Sequence, residues 1–101
     1  MNISEQFRIA AKQWVELDSA ANMLEETKSA VLSQKMAALG DMPVSRAELI
    51  VKASEEWRDF VEGMVKARGA ANLAKVKCEY IRMRFSEWQS AEATARAERR
   101  L

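Results

Sequence analysis

From Trp57 onward the chain repeats one pattern almost to its end. Trp57, Phe60, Met64, Ala67, Ala71, Ala74, Cys78, Ile81, Phe85, Trp88, Glu92 and Ala95 follow one another at alternating steps of three and four, and only Glu92 is polar. Such a spacing is the a/d seam of a coiled coil, and it excludes a strand, whose faces alternate every second residue. No proline interrupts the run, so the spacing predicts one long helix over about 54–98. Bulky aromatics sit towards both ends of the seam. Between them Ala67, Ala71 and Ala74 form a waist small enough for another helix to come close.

The first segment carries a shorter version of the same signal. Phe7, Ala10, Trp14, Leu17, Ala21 and Leu24 keep the seam. Lys28 and Lys35 then break it, and the apolar face passes to Leu32, Met36 and Leu39, as expected when a 3.6-residue helix drifts against a 3.5-residue repeat. Ser4 is the expected N-cap, with Glu5 in the first turn, and Gly40 followed by Pro43 is the expected stop. A helix over about 4–39 and a loop over 40–44 follow. Ser45-Arg46-Ala47-Glu48 has the form of a capping box and predicts a short helix over about 45–53. Ser54-Glu55-Glu56 reads as a further start signal, leaving open whether the short helix is separate from the last one.

Two long helices joined by a brief connection fold back on each other. The expected fold is therefore all-α: a single domain over 1–101, an antiparallel hairpin with coiled-coil-like packing, held by Trp57, Phe60, Phe85 and Trp88. In that arrangement the e positions face each other. They pit Asp18 and Glu25 of the first helix against Arg68, Lys75 and Arg82 of the last, with complementary signs. A second apolar stripe, Leu73, Val76, Tyr80 and Met83, falls on the c and f positions opposite the seam. Either the short helix, through Leu49, Ile50 and Val51, or a second chain must cover it. This two-faced helix is the reason to expect a homodimer, with those four residues as the oligomer or partner interface.

The chemistry the chain can perform is narrow. It has no histidine and one cysteine, which removes imidazole bases, Ser-His and Cys-His pairs and the usual zinc ligand sets. The three glycines, at 40, 63 and 69, form no phosphate loop. We therefore expect no enzyme activity, no catalytic residues, no cofactor and no metal. Cys78 on the seam reads as a small buried hydrophobe, and Trp14, Trp57 and Trp88 read as core packing. A lone cysteine excludes an intramolecular disulfide and points to a reducing compartment. With no signal-peptide pattern and no apolar run of spanning length, a cytoplasmic protein that avoids membranes is expected.

One charged feature remains. Lys66, Arg68, Lys75, Lys77, Arg82 and Arg84 are set against Glu79 alone. As a ridge, Lys75, Lys77, Arg82 and Arg84 could follow a phosphate backbone, with Tyr80 available for stacking. As solvated flanks of a seam, they would instead pair with acids of the first helix. The formal net charge of +1 favours the second reading over a nucleic-acid-binding accessory protein. The closing cations, Arg96, Arg99 and Arg100, suit a helix C-terminus.

Two segments carry a resemblance. One runs from Leu24 through Val31 and Leu32 to Gly40-Asp41-Met42-Pro43; the other runs from Asn72 through Cys78, Glu79, Tyr80, Ile81 and Phe85 to Trp88. Together they resemble small helical proteins encoded in phage and prophage genomes among early genes for DNA metabolism. The resemblance assigns no site residues. It implies a bacterial cytoplasmic setting, a host or phage partner, and a role in phage replication, recombination or host-factor control. Secreted helical hairpins with Trp-x-Gly in the turn do not fit, because Trp57 is followed by Arg58-Asp59 and Tyr80 is followed at the family's acidic position by Arg84.

Overall fold

The computed structural model describes residues 1–100, so Leu101, the end of the expected domain, lies outside the described residues. Three helices follow in order: α1 over Ile3–Ala37, α2 over Val44–Lys52 and α3 over Glu55–Arg100. The described residues contain no strand. α1 and α3 pack along most of α1 as an antiparallel hairpin, and α2 closes its looped end. The molecule is a rod, with extents of 82 × 21 × 17 Å.

The caps show where sequence signals compete. Asn2, not Ser4, caps α1: its side chain accepts the Glu5 N–H at 2.8 Å and the Ser4 hydroxyl at 2.9 Å. With Asn2 in that position, Ser4 becomes a first-turn residue. The capping box of Ser45 and Glu48 does not form either. The Pro43 carbonyl already accepts the N–H groups of Arg46 and Ala47, so α2 starts at Val44, and Glu48 pairs with Lys52 at 2.6 Å. Ser54 does cap α3. Its Oγ accepts the Trp57 N–H at 3.2 Å and donates to the Val51 carbonyl at 2.6 Å, tying the end of α2 to the start of α3. Ala53 and Ser54 thus separate the two helices. At the other turn, α1 ends at Ala37 and Gly40 adopts a φ of 91°, the left-handed conformation that lets the chain reverse.

The core is the line along which α1 and α3 touch. Ala10, Ala21, Ala71, Ala74 and Cys78 are buried there, and Ala21 and Ala71 are essentially inaccessible. Two contacts set the register: Phe7 stacks on Phe85 with centroids 5.9 Å apart, and Arg68 lies between Asp18 and Glu25. That register brings Ala21 level with the turn from Ala67 to Ala71, so the alanine waist of one helix meets a small residue of the other. Larger seam residues (Trp14, Leu17, Leu24, Met64, Ile81) are half-buried. A two-helix contact cannot enclose them fully. At the looped end Ala47 and Val51 of α2 join Trp57, which stacks on Phe60 at 5.4 Å, and all but Phe60 are buried.

Trp88 departs from the expected core role. It leans on Phe85 at 5.9 Å but remains 50% exposed, because α1 begins at Ile3 and the register leaves little above Trp88 to cover it. From Gln89 to Arg100 α3 continues as a lone helix of roughly 18 Å. It extends an existing helix and so avoids the nucleation cost, and Ala91, Ala93, Ala95 and Ala97 are strong helix formers.

Two glycines give opposite tests of this backbone. Gly63 lies mid-helix, with nothing within 4 Å of a Cβ built there, whereas Gly40 needs its positive φ. Gly63→Ala is expected to stabilise the protein by about 1 kcal/mol, and Gly40→Ala to destabilise it by about 1–2 kcal/mol. Urea midpoints of both variants check this, and a Gly63→Ala midpoint at or below wild type would contradict the open placement of that residue.

Candidate interaction surface

The best-developed polar contact lies on one flank of the seam. Arg68 reaches across from α3 and donates from Nη1 to Asp18 Oδ1 at 2.7 Å. Its Nε and Nη2 both donate to the Glu25 carboxylate at 2.8 Å, and Nη2 also donates to Asn22 Oδ1 at 2.6 Å. The planar guanidinium fits this use, because it can fork onto one carboxylate while a third N–H serves another group. Asp18, Asn22 and Glu25 are presented together because steps of four and three keep to one helix face. Hydrogen bonds from Arg68 hold the Glu25 carboxyl below its ordinary range, against the opposing effects of partial burial and of Asp18 nearby. The same hydrogen bonds raise the Arg68 pKa.

The expected complementarity of the e positions is thus met by Arg68 alone. Lys75 instead places its Nζ 5.9 Å from the centre of the Trp14 ring, a cation–π contact. Among the described residues Lys75, Lys77, Arg82 and Arg84 enter no salt bridge; Lys66 pairs with Glu62 on its own helix at 3.8 Å. The four cations also do not share a face. Lys75 and Arg82 stand on the e flank of α3, and Lys77 and Arg84 stand on the g flank, nearly half a turn away. The structure therefore presents two pairs of cations rather than one ridge.

Opposite the seam, Leu73, Val76, Tyr80 and Met83 are 73%, 61%, 60% and 61% exposed. Their spacing puts them in a line about 15 Å long. The short helix does not cover them: α2 lies at the looped end of the rod, beside the start of α3, whereas the stripe sits at the middle of α3; there α2 buries Ala47 and Val51 and leaves Leu49 and Ile50 exposed. Leu73 also borders a shallow groove between the helices, with Gln13, Leu17, Ala70, Ala74 and Lys77. Isolated exposed hydrophobes are ordinary, and Ile9, Val15, Met23 and Val65 are of that kind; four in a row on one helix face are not.

Among the described residues no group of three or more Cys, Asp or Glu side chains is arranged to hold a metal ion. Cys78 is free and buried. The depression beside Trp88 is lined by Gln89, Glu92, Arg96 and Arg99, all on α3, and so is the side of one helix rather than a cavity. Among the described residues no helix is long and apolar enough to cross a membrane. No protein-family model matches the chain, and neither does any curated protein or solved structure.

Sequence reading missed the Asn22 contact and the Lys75–Trp14 contact. The signal for the first was present, since Asp18, Asn22 and Glu25 form an i, i+4, i+7 line facing Arg68. The second is not legible from spacing, which assigns Trp14 to the core and says nothing of how much of its ring face stays open to Lys75.

The Arg68 clamp has a pH signature. The Glu25 pKa is depressed in the folded state, so the stabilisation is fully present above its unfolded value near 4.5 and is lost as pH falls through the lower folded value. We expect Arg68→Met to lower the thermal midpoint at pH 7 and to narrow the gap from wild type at pH 3. An equal gap at both pH values would show that the clamp carries no linkage.

Proposed function

We propose that this chain is a non-enzymatic helical interaction protein that forms a homodimer and binds another macromolecule. The single observation that carries this reading is the exposed line of Leu73, Val76, Tyr80 and Met83 on the face of α3 turned away from the hairpin. Burying an aliphatic or aromatic side chain contributes about 1.5–3 kcal/mol, so four left in water on one face are a standing drive to association. The absence of histidine and of any phosphate-binding glycine loop in the sequence supports a binding role rather than a catalytic one. The resemblance to early phage and prophage proteins supports a bacterial cytoplasmic setting and a host or phage partner in DNA metabolism.

A second reading is supported by the lack of salt bridges, among the described residues, at Lys75, Lys77, Arg82 and Arg84. Cations without acidic partners are available to phosphates, and a nucleic-acid accessory role would use them. It ranks second because the two pairs stand on opposite flanks and the net charge is only +1. Charge reversal at Lys75 and Arg82, which stand away from the stripe, separates the readings: under the second it should weaken salt-sensitive association with short DNA, and under the first it should leave dimerisation unchanged.

Sedimentation of wild type and Val76→Asp over a range of concentrations tests the leading reading. Wild type should shift from monomer to dimer as concentration rises. Val76→Asp should stay monomeric with an unchanged far-ultraviolet helix signal, because Val76 faces solvent in the single chain. A Val76→Asp chain that dimerises like wild type would remove the stripe from the interface.

A further inference from the structure

The flanks of the exposed stripe differ in charge, and that difference constrains how a second copy can lie on it. In the stripe, Leu73 and Tyr80 take the part of an a position and Val76 and Met83 that of a d position. One flank then carries Lys77 and Arg84, with Ala70 before them. The other carries Glu79, with Asn72 and Ser86 either side. All of these flanking residues are exposed, and Lys77, Glu79 and Arg84 are in no salt bridge among the described residues.

In an antiparallel pair of identical helices, like flanks face each other. Lys77 would then meet Lys77 or Arg84 of the partner copy, and Glu79 would meet its own counterpart. In a parallel pair, opposite flanks face each other, at an offset of five residues. Glu79 then stands against the partner's Arg84, and Asn72 against the partner's Lys77, each pairing occurring twice by symmetry.

We propose that the chain dimerises through α3 in parallel, with Leu73, Val76, Tyr80 and Met83 each meeting its own counterpart across a two-fold axis along the rod, and Glu79 paired with Arg84 of the partner copy. This rests on the self-association proposed above and adds its direction. The α1 helices lie on the outside of the pair, since they occupy the opposite face of each α3. Gly69 extends the line by one step with nothing within 4 Å of its Cβ position, so the second helix can approach there. Lys66 and Glu87, the next residues on the line in each direction, would meet themselves and so end the contact. Four layers of this kind bury roughly 800–1,000 Å² in total, at the low end for a specific interface. The dimer therefore dissociates on dilution.

Disulfide trapping reads the direction. Leu73→Cys and Met83→Cys chains are oxidised separately and as a mixture, with wild type, whose Cys78 is buried, as the control. The parallel dimer gives a covalent dimer from each variant alone. Glu79→Arg should weaken the dimer at least several-fold by sedimentation, and Glu79→Arg with Arg84→Glu should restore it. Crosslinks that form only in the mixture, between L73C and M83C, would establish an antiparallel pair and overturn the direction while keeping self-association. No crosslink in any sample, together with a wild type that stays monomeric at every concentration, would overturn both this inference and the self-association on which it rests.

Discussion

Two helices can share only one line of contact, and everything buried along this hairpin lies on that line or under the short helix at its end. This is why the core consists mainly of alanine. Ala10, Ala21, Ala71 and Ala74 are buried because a methyl group fits between two closely spaced helices, whereas Trp14, Leu17 and Met64 reach past the contact and remain partly wet. Close approach at the waist and incomplete cover of the large residues have the same geometric origin. Apart from Trp14, the aromatic seam residues collect at the two ends, where Phe7, Phe85 and Trp88 cluster at one and Trp57 and Phe60 at the other.

A contact line made of small residues is poor at fixing register, because one alanine packs much like the next. The Arg68 clamp supplies what the alanines lack. Its fork on Glu25 and its further bonds to Asp18 and Asn22 can be made together at only one offset of α3 against α1. Slipping by a heptad would leave the guanidinium with at most part of this set. The aromatic contact of Phe7 with Phe85 marks the same register some 25 Å away along the rod. The energy of a partly exposed ion pair is modest, so the contribution lies in choosing among near-equivalent alignments rather than in overall stability.

Much of this was legible in the sequence, and where it failed the reasons are physical. The seam residues named themselves by spacing, and so did the Ser54 cap and the Gly40 turn. The expected caps at Ser4 and Ser45 do not form because each helix starts two residues earlier: Asn2 takes the N–H groups of Glu5 and Gln6, and the Pro43 carbonyl takes those of Arg46 and Ala47. Spacing cannot rank two such claims. Trp88 fits the seam as well as Trp57 does, but burial depends on where the opposite helix begins, and that is a matter of length and register. The exposed stripe was readable as a pattern on α3. That α2 leaves it bare depends on how far α2 reaches along α3, which spacing does not give.

The two faces of α3 differ in strength, and this bears on how such a protein can work. The seam runs the length of α1, is reinforced by aromatic clusters at both ends and is locked by Arg68. The stripe has four residues, is bounded by charged residues at both ends and has a single acid on its flank. The first contact is therefore expected to persist under conditions where the second exchanges. A dimer built this way would hide its apolar stripe at high concentration and expose it when diluted or when a better partner competes. That partner would need an apolar line of similar length and a cation placed to take Glu79. Self-association would then limit non-specific sticking by the same surface that binds, and the charge pattern beside the stripe, rather than its apolar area, would set which helix is accepted.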